Sequence, residues 1–225
     1  MGSVTCAAVE ADPDLDLVAQ VDADQSLSAV LDAGADVAVE FTTPLTVADN
    51  TVWLLEHGVH AVVGATGLDT DDLARIETAT GPANCFIAPN FAIGAVLAMR
   101  TAAEIAKHLP HAEITELHHD RKVDAPSGTA LRTAELIAAA RSDDVEVPGP
   151  DGHPARGMQA EGIPVHSVRL PGLVASQEII FGGQGQTLTV RHDSIDRSSF
   201  MPGVLLAVKK VGERPGLTVG LEHLL

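Results

Sequence analysis

The sequence has only two cysteines in 225 residues, Cys6 and Cys85, and they show no C-x-x-C spacing. That usage argues against a disulfide framework and suits a reducing cytoplasm. Each cysteine reads as a small buried hydrophobe. Although 45% of residues are hydrophobic, no long uninterrupted apolar run occurs, so no membrane span is expected. The N-terminus lacks a basic stretch followed by an apolar core, so no signal peptide is expected either. Basic residues are scarce: 14 Lys and Arg stand against 31 Asp and Glu, a formal charge of −17. With that charge and no basic stripe, a nucleic-acid partner is disfavoured. Repeats and low-complexity tracts are also missing. In so acidic a chain an anionic ligand has to be drawn in by local cations, which makes each cluster of Lys, Arg or His informative.

What is present in the first half is an alternation of two periods. Leu17–Val21, Val37–Phe41, His60–Val63 and Cys85–Ala88 read as short buried strands. Helical stretches lie between them near Leu27–Ala33, Leu45–His57 and Asp71–Ala79. Such alternation predicts a parallel, doubly wound α/β sheet. Each strand runs into a loop of small and polar residues: Asp22–Asp24, Phe41–Pro44, Gly64–Gly67 and Pro89–Phe91. Ligands bind outside that edge of open α/β sheets, so the four loops together suggest a nucleotide cleft.

From about Glu113 the pattern changes. Glu113–His118, Pro164–Arg169, Val174–Phe181 and Gln186–His192 read as longer strands, with a helix at Leu131–Ala140. A loop rich in Pro, Gly and Asp runs from Val147 to Glu161, and Gly182–Gly185 marks a turn. Strands in succession imply an antiparallel or mixed sheet. A last helix is expected near Val204–Val211. The division is a dinucleotide-binding domain over 1–92 and 200–225, and a mixed α+β domain over 93–199, with a cleft between the two.

A dinucleotide-binding fold starts with a strand and a G-x-G-x-x-G loop ahead of a helix that holds the pyrophosphate. Met1–Glu10 already reads as that helix. Asp22 lies about twenty residues past where the glycine loop would sit, the usual place of the acid that grips the ribose. The expectation is therefore a Rossmann-like sheet whose first strand and phosphate loop precede Met1.

The stretch Glu116–Ala130 carries the chemistry. If the strand continues through it, His118 and His119 face opposite sides and can have separate tasks. Lys122 follows in a loop, and Ser127–Thr129 lead into a helix whose first N–H groups form an anion site, with Ser127 read as its cap. Two histidines, a lysine and a helix start within a dozen residues suit a small dianion such as a dicarboxylate. One histidine would donate a proton, since its pKa lies near working pH. A metal site from His118, His119, His166 and His192 is disfavoured because adjacent histidines are poor ligand spacing and no cysteine accompanies them. No G-x-S-x-G turn makes Ser127 a nucleophile.

Glu116–Ala130 matches E-x-H-H-x-x-K-x-D-A-P-S-G-T-A at every specified position, and on it the chain resembles the 4-hydroxy-tetrahydrodipicolinate reductase (dihydrodipicolinate reductase) family. Further matches are Phe41, Thr42 and Pro44; Ala88–Phe91 with Gly94; Gly162–Arg169; and Arg191–Arg197. The resemblance spans essentially the whole chain. It implies reduction of 4-hydroxy-tetrahydrodipicolinate by NADH or NADPH with loss of water, in lysine and diaminopimelate biosynthesis, by a cytoplasmic homotetramer. By the same resemblance His118 is the proton donor and Lys122 the cation beside it, while His119, Gly128 and Thr129 hold the substrate. Gly64, Ala65 and Thr66 flank the nicotinamide, Ala88, Pro89, Asn90 and Phe91 form the next cofactor loop, and Asp22 takes the ribose. No metal is implied. Ala65 departs from the family's G-T-T-G, and Met1–Gly2 align with the last two letters of its V-x-V-x-G-x-x-G-R-M-G. Weak NAD(P)H binding follows as an expectation, with an inactive remnant as the alternative function. Ala23, rather than Arg, after Asp22 leans the expectation towards NADH.

Overall fold

A computed structural model describes residues 1–81, 83–142 and 153–225. Contacts divide the chain into two units, 1–93 with 200–225 and 94–199. In chain order the first unit contains α1 (Gly2–Ala11), α2 (Ala29–Asp32), β1 (Val37–Glu40), α3 (Val47–Glu56), β2 (His60–Val63), α4 (Thr70–Ala79) and β3 (Cys85–Ile87). The helix α5 (Ile93–Ala106) starts at the division. The second unit continues with β4 (His111–His118), α6 (Gly128–Ala140), β5 (Met158–Ala160), β6 (Ile163–Arg169), β7 (Ala175–Gly183) and β8 (Gln186–Ser194). The chain then returns to the first unit with α7 (Met201–Lys210) and β9 (Leu217–Val219).

The first unit is built on a parallel sheet in the order β1-β2-β3-β9. Its strands are only three or four residues long and almost wholly apolar, because helices cover them. Val47, Leu54 and Leu55 of α3 and Ile76 of α4 bury against Ala61, Val63, Cys85 and Ile87. The start of α4 is fixed by a capping box, in which Asp69 accepts from the Asp72 N–H and Asp72 returns the bond. Gly203 lets α7 lie directly on the backbone carbonyl of Phe91; a Cβ there would fall well inside van der Waals contact.

Leu17–Val21 is not a strand. The segment alternates half-buried and exposed residues, as a one-sided strand would, and Val21 packs on the core. No ladder partner lies beside it among the described residues, and β-structure exists only through such partners. The helix expected over Leu27–Ala33 shrinks to the single turn of α2, flanked by Ser28 and Gly34.

The second unit carries a mixed sheet in the order β5-β6-β4-β7-β8, with β4 and β6 parallel and the remaining pairs antiparallel. Ala112, Ile114, Val165, Ile179 and Phe181 point to one face, where α5 and α6 cover them through Ala102, Ala106, Ala134 and Ile137. The opposite face is for the most part half-buried or exposed; on it Glu113 bonds Arg156 and His166, and Glu178 bonds Arg191. A two-residue turn joins β7 to β8, and Gly185 supplies its positive φ of 73°. Of the loop expected over Val147–Glu161, residues up to 152 lie outside the described residues; from His153 on, a short 3-10 turn leads into β5.

Gly203→Ala tests the closest backbone approach. Alanine is the better helix former by about 1 kcal/mol. The collision with the Phe91 carbonyl nevertheless dominates, and urea unfolding is expected to show a net loss of about 1–3 kcal/mol.

Candidate active site

Glu116 and His118 lie two apart in β4 and so share a face, the one that bears Ile114. Neighbouring β6 runs parallel in the register Glu116↔Ser167 and His118↔Arg169, which brings Arg169 to the same face. Arg169 grips both carboxylate oxygens of Glu116, at 2.9 Å from Nη1 and 2.8 Å from Nη2. Oε2 of Glu116 also meets Nδ1 of His118. Glu116 has no exposed surface. Burial alone would push its pKa up, but hydrogen bonds from His118, Arg169 and Ser167 outweigh it and hold the carboxyl at about 2.

Beyond His118 the strand stops. His119 therefore does not alternate as a strand residue; it opens a turn in which its carbonyl accepts from the Lys122 N–H. Nδ1 of His119 is buried and has no hydrogen-bond partner among the described residues. A buried polar atom left open in this way fits a ligand contact. Lys122 Nζ holds both oxygens of Asp124, at 2.7 and 2.8 Å, and this bond lowers the Asp124 pKa. Nη2 of Arg169 donates to the Asp124 carbonyl at 2.7 Å, so the loop and His118 share one anchor.

Ser127 caps α6, its Oγ accepting from the Ala130 N–H at 3.2 Å. The cap leaves the Gly128 N–H at the helix start facing an anion's approach. Gly128 is exposed, has no positive φ, and a Cβ on it would meet nothing within 4 Å. Neither the backbone nor the packing requires glycine there, so the open space fits an approaching ligand. Thr133 Oγ1 donates to the Thr129 carbonyl at 2.7 Å and accepts from Gln177 Nε2 at 2.8 Å. Gln177 is the β7 neighbour of Glu116, so the helix start is tied to the strand beside the acid.

In the first unit the loops after β1, β2 and β3 emerge at the same end of the parallel sheet. Gly64 follows β2, and a Cβ on it would run into the rings of Phe41 and Phe91. Ala65 packs on the core, Thr66 is exposed, and Ala88 is buried with its N–H on the Val63 carbonyl. Pro89 is exposed, and the Asn90 side chain accepts from the Ala92 N–H at 2.8 Å. This rim of small residues and accessible backbone fits a flat cofactor ring. Asp22 does not end a strand; it stands in an exposed turn, where its carboxylate accepts from Ala23 and its N–H donates to Gln25.

The family model described as dihydrodipicolinate reductase, N-terminus, matches residues 1–91, and its C-terminal counterpart matches 94–225. The chain belongs to the dihydrodipicolinate reductase family. The 4-hydroxy-tetrahydrodipicolinate reductase of Mycolicibacterium vanbaalenii is 54% identical over 233 residues, covering 100% of this chain and 94% of that relative. The enzyme of the same name from Nocardia farcinica is 54% identical over 235 residues, with the same coverage. Among solved structures, the dipicolinate-bound dihydrodipicolinate reductase from Paenisporosarcina sp. TG-14 has a TM-score of 0.85 at 38% identity, covering 100% of this chain and 95% of that one.

Of the residues expected from sequence, the structure links His118 and Lys122 through Arg169 and ties the start of α6 to the same sheet. Arg169, Gln177 and Thr133 are absent from that expectation, and Glu116 has no role in it. The signal for Glu116 is its i, i+2 spacing to His118 in a strand. Among the described residues no group of three or more His, Cys, Asp and Glu is placed to hold a metal. His166 is engaged by Glu113, and burial lowers the pKa of His192.

A carboxyl held near 2 contributes stability above the ordinary carboxylate range and loses it as pH falls through its own pKa. The stability gap between the parent and Glu116→Gln is therefore expected to be widest above about pH 5 and to close towards about pH 2. Urea unfolding across that range checks this.

Proposed function

We propose that this chain reduces 4-hydroxy-tetrahydrodipicolinate to tetrahydrodipicolinate with loss of water, at the expense of NAD(P)H and with a preference for NADH. The observation that carries the reading is the Glu116–Ala130 segment. In it a paired histidine, a loop lysine and an open helix start stand together in a family whose curated relatives bear that reaction's name. A solved relative is described as binding dipicolinate, a ring with two carboxylates.

Lys122 and the α6 start hold the substrate carboxylates, with the Gly128 N–H and the Thr129 side chain as donors and His119 as a further contact. A helix N-terminus and a lysine together supply the positive field that a dianion needs in a chain of charge −17. His118 gives the proton that completes the reduction. A reduced nicotinamide, when bound, supplies the hydride. Gly64, Ala65 and Thr66, with Ala88, Pro89, Asn90 and Phe91, line its ring, and Asp22 takes the ribose hydroxyls. Asp22 is followed by Ala23, which offers no cation to a 2′-phosphate, and this supports NADH.

Assembly into a homotetramer belongs to the same reading. No helix of the described residues is long and apolar enough to cross a membrane. The alternative of an inactive remnant has no feature of the substrate segment in its favour.

The test is consumption of reduced nicotinamide by this chain, with substrate generated in place by the synthase that precedes it. Substrate-dependent turnover is expected. His118→Gln should lower kcat by about 100-fold or more, whereas Lys122→Ala should act mainly on KM. Absence of substrate-dependent oxidation, or a His118→Gln variant as fast as the parent, would overturn the assignment.

A further inference from the structure

Glu116 and Arg169 contact neither substrate nor cofactor in the proposed reaction, yet they hold the residue that gives the proton. We propose that Glu116 is a positioning residue that decides which ring nitrogen of His118 carries the transferable proton, with Arg169 fixing Glu116 and tethering the Lys122 loop. The inference rests on the assignment of His118 as proton donor.

The geometry leaves one arrangement. Arg169 donates to both oxygens of Glu116, and a carboxylate so gripped can only accept from a third partner. That partner is Nδ1 of His118, which must therefore carry a hydrogen. Neutral His118 is then the Nδ1–H tautomer, with its lone pair at Nε2. When the ring is protonated, the second proton sits at Nε2, and it alone can leave without breaking the buried bond.

The proton transfer follows from this. As the substrate carbon accepts hydride, the Nε2–H bond breaks, its electron pair stays on the ring and the proton passes to the substrate. His118 is left as the neutral Nδ1–H form that Glu116 favours, and water restores the proton. A carboxylate that orients an imidazole in this manner is a general device of proton-transfer sites. Arg169 adds a second function, since the guanidinium group that holds Glu116 also bonds the Asp124 carbonyl, two residues past Lys122. One ion pair thus sets both the acid and the cation.

Nitrogen-15 spectroscopy of the imidazole rings in the full chain tests this, with His118 assigned by its loss in His118→Gln. The parent should show neutral His118 protonated at Nδ1. In Glu116→Gln the amide oxygen goes to Arg169, which turns its NH2 towards Nδ1 and switches the ring to the Nε2–H tautomer. A parent ring found as Nε2–H, or a tautomer unchanged in Glu116→Gln, overturns the proposal. If Glu116→Gln does not fold, the parent's own tautomer still decides.

Kinetics supply the second arm. Glu116→Gln should lower kcat about 100-fold while moving KM less than about threefold, with no further loss in a His118→Gln background. Independent, multiplying losses would mean that Glu116 does not act through His118. The ring spectrum needs no turnover, so a wrong tautomer and a wrong substrate are told apart.

Discussion

A carboxylate buried without any exposed surface in the middle strand of a sheet costs several kcal/mol unless it is paired, and Glu116 is paired from the neighbouring strand β6 and from its own strand. Arg169 and Ser167 reach it from β6, and His118 from its own strand. These bonds also specify the sheet. A slip of one residue between β4 and β6 would turn Glu116 to the open face and leave Arg169 buried beside apolar side chains. The register that satisfies the charge is therefore the register that brings Glu116, His118 and Arg169 together, and fold and candidate site cannot be specified separately here.

The first unit reaches its own order by a different route. Its loops carry few charges and are held by close apolar approach. The rings of Phe41 and Phe91 meet edge-on at 6.2 Å, and Gly64 leaves no room for a side chain beside them. Behind them the buried carboxylate of Glu40 accepts from the Thr42 N–H at 2.7 Å and from Asn50 at 3.2 Å, which ties the turn after β1 to α3. A rim built of small residues on a packed base keeps its backbone in place with little side-chain bulk, as a flat aromatic ligand requires.

How far the sequence can be read follows from which interactions are local. The buried strands β1, β2 and β3 are legible because a short apolar run between helical stretches suffices for a covered strand and is too brief for a helix. Leu17–Val21 has the same alternation but is no strand, since a ladder depends on a neighbour that periodicity cannot supply. Alanine-rich α5 is not legible: Ile93–Ala106 has a continuous small apolar surface with little polar contrast to mark a face. In the site, the Glu116–Ala130 run carries a legible motif, and local spacing is enough to identify the Ser127 cap. The role of Arg169 is hidden, because it lies 53 residues from Glu116 and depends on a parallel pairing across a helix and a hairpin.

The loop after β4 shows how an acidic chain can hold a cation ready without neutralising it. Lys122 rests on Asp124, whose side chain is 60% exposed, while the Lys122 side chain is 22% exposed. With Asp124 this exposed, the ion pair is worth about 1 kcal/mol, so a carboxylate arriving at Lys122 would compete with Asp124 at small cost. The Asp124 carbonyl, by contrast, is fixed by Arg169. The backbone of the loop can therefore stay where it is while the lysine exchanges one carboxylate for another. Asp124 holds the Lys122 side chain through both carboxylate oxygens, so an anion bound here would meet a local cation rather than a broad basic surface.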